Sequence, residues 1–166
     1  MKAQITELLT GYGPIAGIWL DGIAVPAGND RTKFKCQTLY DYIHGCQPQV
    51  LVSYKQGLLG TEDFFAPEHS AIAKEGDKPM EICTTLQKGG WGYVKKSAHL
   101  SADDVMQRLA VAARTPANLL LNTGPLGNGS IHPADVSALA EVGRRIRADG
   151  FPAPAKLAPK APKRHK

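Results

Sequence analysis

Two acidic residues, Asp21 and Glu68, have the sequence surroundings that acid, base or nucleophilic work requires. Asp21 closes the apolar run Ile15-Ala16-Gly17-Ile18-Trp19-Leu20 and precedes Gly22, so a strand would hold its backbone while the glycine leaves room for a substrate. On the motif alone, an aspartate that merely caps a loop is equally open. Glu68 ends the stretch Thr61-Glu62-Asp63-Phe64-Phe65-Ala66-Pro67-Glu68, whose Phe64, Phe65 and Pro67 offer the apolar neighbours that partly desolvate a general acid. Glu81, at the start of a later strand, competes for that role or would sit deeper and hold a substrate hydroxyl. For either glutamate the bland alternative is a solvated acid on a loop or strand edge. A carboxylate pair with aromatic walls beside it is the minimal kit for breaking a glycosidic bond.

Those walls have a candidate in Gly89-Gly90-Trp91-Gly92-Tyr93, a glycine-rich loop whose aromatic faces suit the apolar side of a sugar, with core packing as the alternative. His69, His99 and His132 show no metal-ligand spacing, and Cys36, Cys46 and Cys83 form no C-x-x-C pair. No metal, cofactor or disulfide framework is therefore expected. No G-x-G-x-x-G or G-x-x-x-x-G-K-[ST] follows any apolar run, so nucleotide binding has no support.

The elements that must position these residues alternate in type. Ile5, Leu8 and Leu9 mark a helix that stops at Gly11-Tyr12-Gly13-Pro14, and the run Ile15–Leu20 reads as a buried strand. A helix from about Arg31 to Gly45 turns Phe34, Leu39, Tyr42 and Ile43 inward, and Gln49–Ser53 is a second strand. Tyr54 to Pro79 has no periodic pattern and reads as one long functional loop. Met80–Thr85 is a third strand. Ser101 with Asp104 forms a capping box that opens a helix burying Val105, Leu109 and Val111. Asn118–Asn122 is a fourth strand, and Pro133 sits in the first turn of a last helix that runs to Gly150 and buries Val136, Leu139, Val142 and Ile146.

Four strands alternating with helices predict parallel βα units of an α/β fold. Each strand carries a polar residue at its carboxyl end, namely Asp21, Ser53 with Lys55 beyond it, Thr85 and Asn122. That is where (β/α) barrels carry their chemistry, so the expected fold is a partial (β/α)8-type barrel of about four βα units spanning residues 1–150.

Residues 151–166 read as a disordered tail rich in proline, alanine and lysine. The chain has 166 residues and a net charge of +5, and Lys156, Lys160, Lys163, Arg164 and Lys166 account for all of it. The body is neutral and lacks an interleaved basic-aromatic pattern, which disfavours a nucleic-acid partner. No run of about 18 apolar residues and no signal-peptide block are visible, so neither a membrane nor a compartment is assigned.

Taken in order, Tyr12-Gly13-Pro14, Ile18-Trp19-Leu20-Asp21-Gly22, Asp63-Phe64-Phe65-Ala66-Pro67-Glu68, Glu81-Ile82-Cys83 with Trp91-Gly92-Tyr93, and Asn118-Leu119-Leu120-Leu121-Asn122-Thr123-Gly124-Pro125 resemble the α-L-fucosidases of glycoside hydrolase family 29. The resemblance covers about residues 5 to 150 and its motifs are strong as an ordered set. It implies retaining hydrolysis of a terminal α-L-fucosyl residue, with Asp21 as nucleophile and Glu68 as acid/base. Trp19, Lys55, Glu81 and Trp91 become candidate substrate-binding residues, Glu81 also remaining an alternative acid. A fucosylated glycan is the implied partner, and the family is often periplasmic, secreted or lysosomal.

Many members have Asn-Asp-Arg where this chain has Ser53-Tyr54-Lys55, and a tryptophan where it has Met80. Lys55 replaces an arginine's charge but not its planar fork. A family barrel needs about 250 residues. The resemblance therefore implies that the barrel's first strands are missing, that a second chain or self-association would complete it, and that the isolated chain has little activity. A noncatalytic carbohydrate-binding or assembly fragment is the competing expectation.

Overall fold

The computed structural model describes residues 1–22, 35–55, 60–69, 78–115 and 117–152. Their elements run α1 (Lys2–Gly11), β1 (Gly17–Leu20), α2 (Cys36–Cys46), β2 (Leu51–Tyr54), β3 (Met80–Thr85), α3 (Ala102–Arg114), β4 (Ala117–Asn122) and α4 (Pro133–Asp149). Phe34 and the tail beyond Pro152 lie outside the described residues. The chain divides into two compact units, residues 1–84 with 118–122 and residues 85–117 with 123–166. No helix among the described residues is long and apolar enough to cross a membrane.

In the first unit β1 and β2 pair in parallel, Gly17 opposite Leu51 through Leu20 opposite Tyr54. Alternation along these strands separates two sets of side chains. Ile18, Leu20, Val52 and Tyr54 pack with Ile5 and Leu9 of α1 and with Leu39, Tyr40 and Ile43 of α2. Trp19, Ser53 and the residues that continue their rows, Asp21 and Lys55, belong to the opposite face. Gln47 locks the entry to β1: its amide donates to Leu9 O at 2.6 Å and Gly13 O at 2.9 Å, and its Oε1 accepts from Ile15 N at 2.9 Å. One side chain thus satisfies the carbonyl end of α1 and aims the strand.

β1 is not the buried strand its apolar composition suggests. Gly17 is exposed and Trp19 retains 37% of its surface. Among the described residues only β2 flanks it, and the helices cover only the Ile18 and Leu20 side. β2 is buried from Val52 to Tyr54.

Residues 65–69 form a parallel ladder where the sequence reads as loop. Phe65 N donates to Pro79 O, Glu81 N to Phe65 O, Cys83 N to Pro67 O and His69 N to Cys83 O, at 2.7–3.0 Å. On its other side this segment meets β2 through a parallel bridge between Lys55 and Ala66. Pro67 cannot donate, which removes one rung and hides the strand from a propensity reading, but its carbonyl still accepts. Three further contacts strap the segment's start to β2. Asp63 N donates to Val52 O at 2.8 Å, the Asp63 carboxylate accepts from Val52 N at 2.7 Å, and Ser53 Oγ donates to Phe64 O at 2.6 Å. β3 pairs in turn with β4.

The second unit packs α3 against α4. The Ser101 and Asp104 capping box is present as the sequence predicts. Buried positions differ in both helices. On α3, Val105 and Ala112 are buried while Val111 is 42% exposed, because Val111 lies about 120° around the helix from Val105. On α4, Asp135, Ala138 and Val142 are buried, whereas Val136 and Leu139 are exposed.

A polar anchor sets that rotation. The Asp135 carboxylate, fully buried, pairs with His99 Nδ1 at 2.7 Å and accepts from Thr123 Oγ1 at 2.6 Å. The His99 ring stacks on His132, the N-cap of α4, at 3.9 Å. Asp135→Ala removes the shared acceptor from both partners and is expected to cost about 3 kcal/mol. Urea unfolding at neutral pH measures this, and a loss below about 1 kcal/mol would show that Asp135 does not anchor the helix.

Candidate active site

Strand alternation brings the sequence-predicted carboxylates to one face. Asp21 and Lys55 follow paired residues of β1 and β2, Lys55 bridges Ala66, and Glu68 bridges Cys83 on β3. Asp21, Lys55 and Glu68 therefore emerge beyond the carboxyl ends of neighbouring strands, away from the helices. Of the expected apolar neighbours of Glu68, Phe65 and Pro67 belong to the alternate positions of its segment and are buried, while Phe64 falls in the same row as Glu68. The charged group that meets Glu68 is Lys55.

Lys55 Nζ lies 3.1 Å from Glu68 Oε1 and 3.4 Å from Asp21 Oδ1. With one nitrogen touching both, the two oxygens lie no farther apart than the sum of these contacts, about 6.5 Å. The Lys55 and Glu68 side chains are 17% and 20% exposed, while Asp21 is 59% exposed. Burial alone would lower the Lys55 pKa, but the bonds to Glu68 and the charge of Asp21 outweigh it and hold it above the ordinary lysine value. Asp21 Oδ1 also accepts from Gly22 N at 2.6 Å. Gly22 adopts φ +76°, a conformation that costs an L side chain about 1 kcal/mol or more.

The other candidates have distinct settings. By the register that pairs Phe65 with Met80, Glu81 is level with Ala66 and so a row deeper than Glu68, and its Oε2 accepts from Asn118 Nδ2 at 2.9 Å. Trp19 shares the Asp21 face and is partly exposed. Trp91 and Tyr93 belong to the second unit, 39% and 57% exposed. His69 Nδ1 is 3.1 Å from Thr84 Oγ1.

Composition gave no sign of the bridging role of Lys55; only the register places it between the two acids. Ser53, read as a polar strand end, is fully buried and straps the Glu68 segment in place. Cys36 and Cys83 are free, buried thiols whose pKa burial pushes up, which leaves them unreactive.

Comparison with known proteins identifies the family. The family description "Alpha-L-fucosidase" matches residues 1–150. A putative alpha-L-fucosidase of Caenorhabditis elegans is 28% identical over 153 residues, covering 86% of this chain and 31% of that protein. Tissue alpha-L-fucosidase of Mus musculus is 30% identical over 125 residues, covering 74% of this chain and 23% of that protein. Among solved structures, alpha-L-fucosidase isoenzyme 1 from Paenibacillus thiaminolyticus superposes with a TM-score of 0.75 at 31% identity, over 95% of this chain and 41% of that one. AlfC from Lactobacillus casei, in complex with its alpha-L-fucose product, shares the fold with a TM-score of 0.68 at 24% identity, over 89% of this chain and 44% of that one.

The α/β fold and the family match place the chain among relatives that are glycoside hydrolases. The chain belongs to the α-L-fucosidase family, GH29, and corresponds to part of that family's catalytic domain. It spans about a third or less of the length of the two relatives named here.

The Lys55 bridge has a pH signature. A base whose folded pKa exceeds its unfolded one stabilises the fold fully below the unfolded value, and that stability is lost as pH rises through the folded value. The Lys55 contribution is thus present at neutral pH and disappears above the ordinary lysine value of 10.5. Lys55→Met is expected to lose roughly 1–2 kcal/mol at pH 8, the exposed Asp21 contact adding little of this. In urea titrations the gap from wild type should close as pH rises toward 12; a gap independent of pH would contradict the bridge. Tyr40 and Tyr54, whose pKa values burial raises, destabilise the fold in the same window but are common to both proteins.

Proposed function

We propose that this chain carries the nucleophile and the acid/base of a retaining α-L-fucosidase, on about four βα units of a (β/α) barrel spanning residues 1–150. The observation that carries the reading is the contact of one ammonium with both carboxylates. Asp21 Oδ1 and Glu68 Oε1 lie within about 6.5 Å of each other, a limit that includes the 5–5.5 Å carboxyl spacing of retaining enzymes. Inverting enzymes need about 6.5–9.5 Å to admit a water.

In this mechanism Asp21 Oδ2 attacks the anomeric carbon, the glycosidic C–O bond breaks, and Glu68 gives its proton to the departing oxygen. Glu68, now a carboxylate, takes a proton from water as that water attacks the same carbon, and the Asp21 ester bond breaks. Lys55 orients both carboxylates. Trp19 offers an apolar wall to the sugar, and Glu81, a row deeper, accepts a hydroxyl hydrogen bond. A terminal α-L-fucosyl group on a glycan or oligosaccharide is the substrate.

Hydrolysis of an aryl α-L-fucoside by the chain tests this reading. Asp21→Ala should lower the rate by roughly three orders of magnitude or more, with azide restoring turnover and yielding the inverted fucosyl azide. Azide at Glu68→Ala should yield the retained azide instead. Unchanged turnover in Asp21→Ala removes it as nucleophile, and rescue at Glu81 rather than Glu68 reassigns the acid. Fucose binding without turnover by the wild type would support the alternative of a noncatalytic carbohydrate-binding fragment.

A further inference from the structure

Trp91 poses a packing problem that one side chain answers. Its indole is 39% exposed and sits in a run of three glycines and one tyrosine, a composition that would let the backbone wander. Gln87, which is 4% exposed, donates from Nε2 to Gly90 O at 3.1 Å and also to Gly92 O. One amide thus holds the carbonyls on both sides of Trp91.

Gln87 is itself fixed on three counts. Its carbonyl accepts from Thr85 Oγ1 at 2.6 Å. It forms an antiparallel bridge with His99, flanked by Lys88 N to Ala98 O at 2.9 Å and Leu100 N to Leu86 O at 2.7 Å. A Cβ on Gly124 would collide with the Gln87 amide and with Gly92 O, so the Thr123-Gly124-Pro125 turn closes over the clamp only because residue 124 lacks a side chain.

We infer that Gln87 is the positioning residue of Trp91, holding an exposed indole ready to stack on the apolar face of a sugar. The stacking half of this statement rests on the fucosidase reading above; the clamping half does not. Holding the loop in one conformation before the sugar arrives lowers the ordering cost of binding.

The test uses the full chain in a Trp19→Phe background, where Trp91 is the sole tryptophan. Gln87→Met keeps the length and removes the donors; Gln87→Glu keeps the shape and sets a carboxylate against two carbonyls. Far-UV circular dichroism confirms folding, and the isosteric glutamate variant serves if the methionine one fails. In both variants the time-resolved anisotropy of Trp91 should gain a fast component, and acrylamide quenching should rise about threefold. Parent-like anisotropy and quenching in a folded variant would overturn the clamp.

L-Fucose titration by calorimetry, with Trp19 retained, then reads stacking, and Gln87→Met should bind roughly tenfold more weakly than the wild-type chain. If Trp91→Ala binds fucose as the wild-type chain does, the sugar-stacking role falls. The anisotropy result still decides the clamp, so the two failures are distinguishable.

Discussion

An ammonium held between two carboxylates is the contact on which the candidate site depends. Asp21 and Glu68 come from chain segments that do not pair with each other, and two like charges brought this close repel unless a cation lies between them. β2 supplies that cation because it is the strand between them, pairing with β1 on one side and bridging the 65–69 segment on the other. A slip of one residue in either register would turn Lys55 or Glu68 toward the helices. The ladder, the Ser53 strap and the Asp63 cap are therefore conditions for the bridge.

The parts of this architecture that were legible in the sequence are those specified by neighbouring residues. Ser101 and Asp104 satisfy each other's backbone within one turn, Pro133 marks a helix start by its own geometry, and Met80–Thr85 is a short run of strand length rich in β-branched residues. What was not legible depends on partners distant in sequence. The 65–69 strand is held by β3 and β2 and contains a proline, so its own residues argue against it. The buried face of α4 is set by Asp135 meeting His99 and Thr123, whereas hydropathy alone favours Val136 and Leu139.

The same distinction applies within the site. Asp21 and Glu68 could be singled out from their local surroundings, and the structure brings them to one ammonium. Of the apolar neighbours read for Glu68, alternation gives Phe65 and Pro67 the other positions of the segment and leaves Phe64 in its row. Lys55 was seen only as a substitute for an arginine's charge. Its place between two acids follows from a pairing register that no single segment encodes.

Covalent trapping tests the central claim, that Asp21 is the nucleophile of a fucosyl transfer, most directly. A 2-fluoro-fucosyl fluoride carries a good leaving group, while its 2-fluorine slows hydrolysis of any ester formed, so a slow chain can still be read by mass. Peptide mass spectrometry should find one fluorofucosyl adduct, on the peptide containing Asp21, absent in Asp21→Ala and suppressed by excess L-fucose. An adduct on the peptide of Glu68 or Glu81, or none with saturating reagent, would contradict the account.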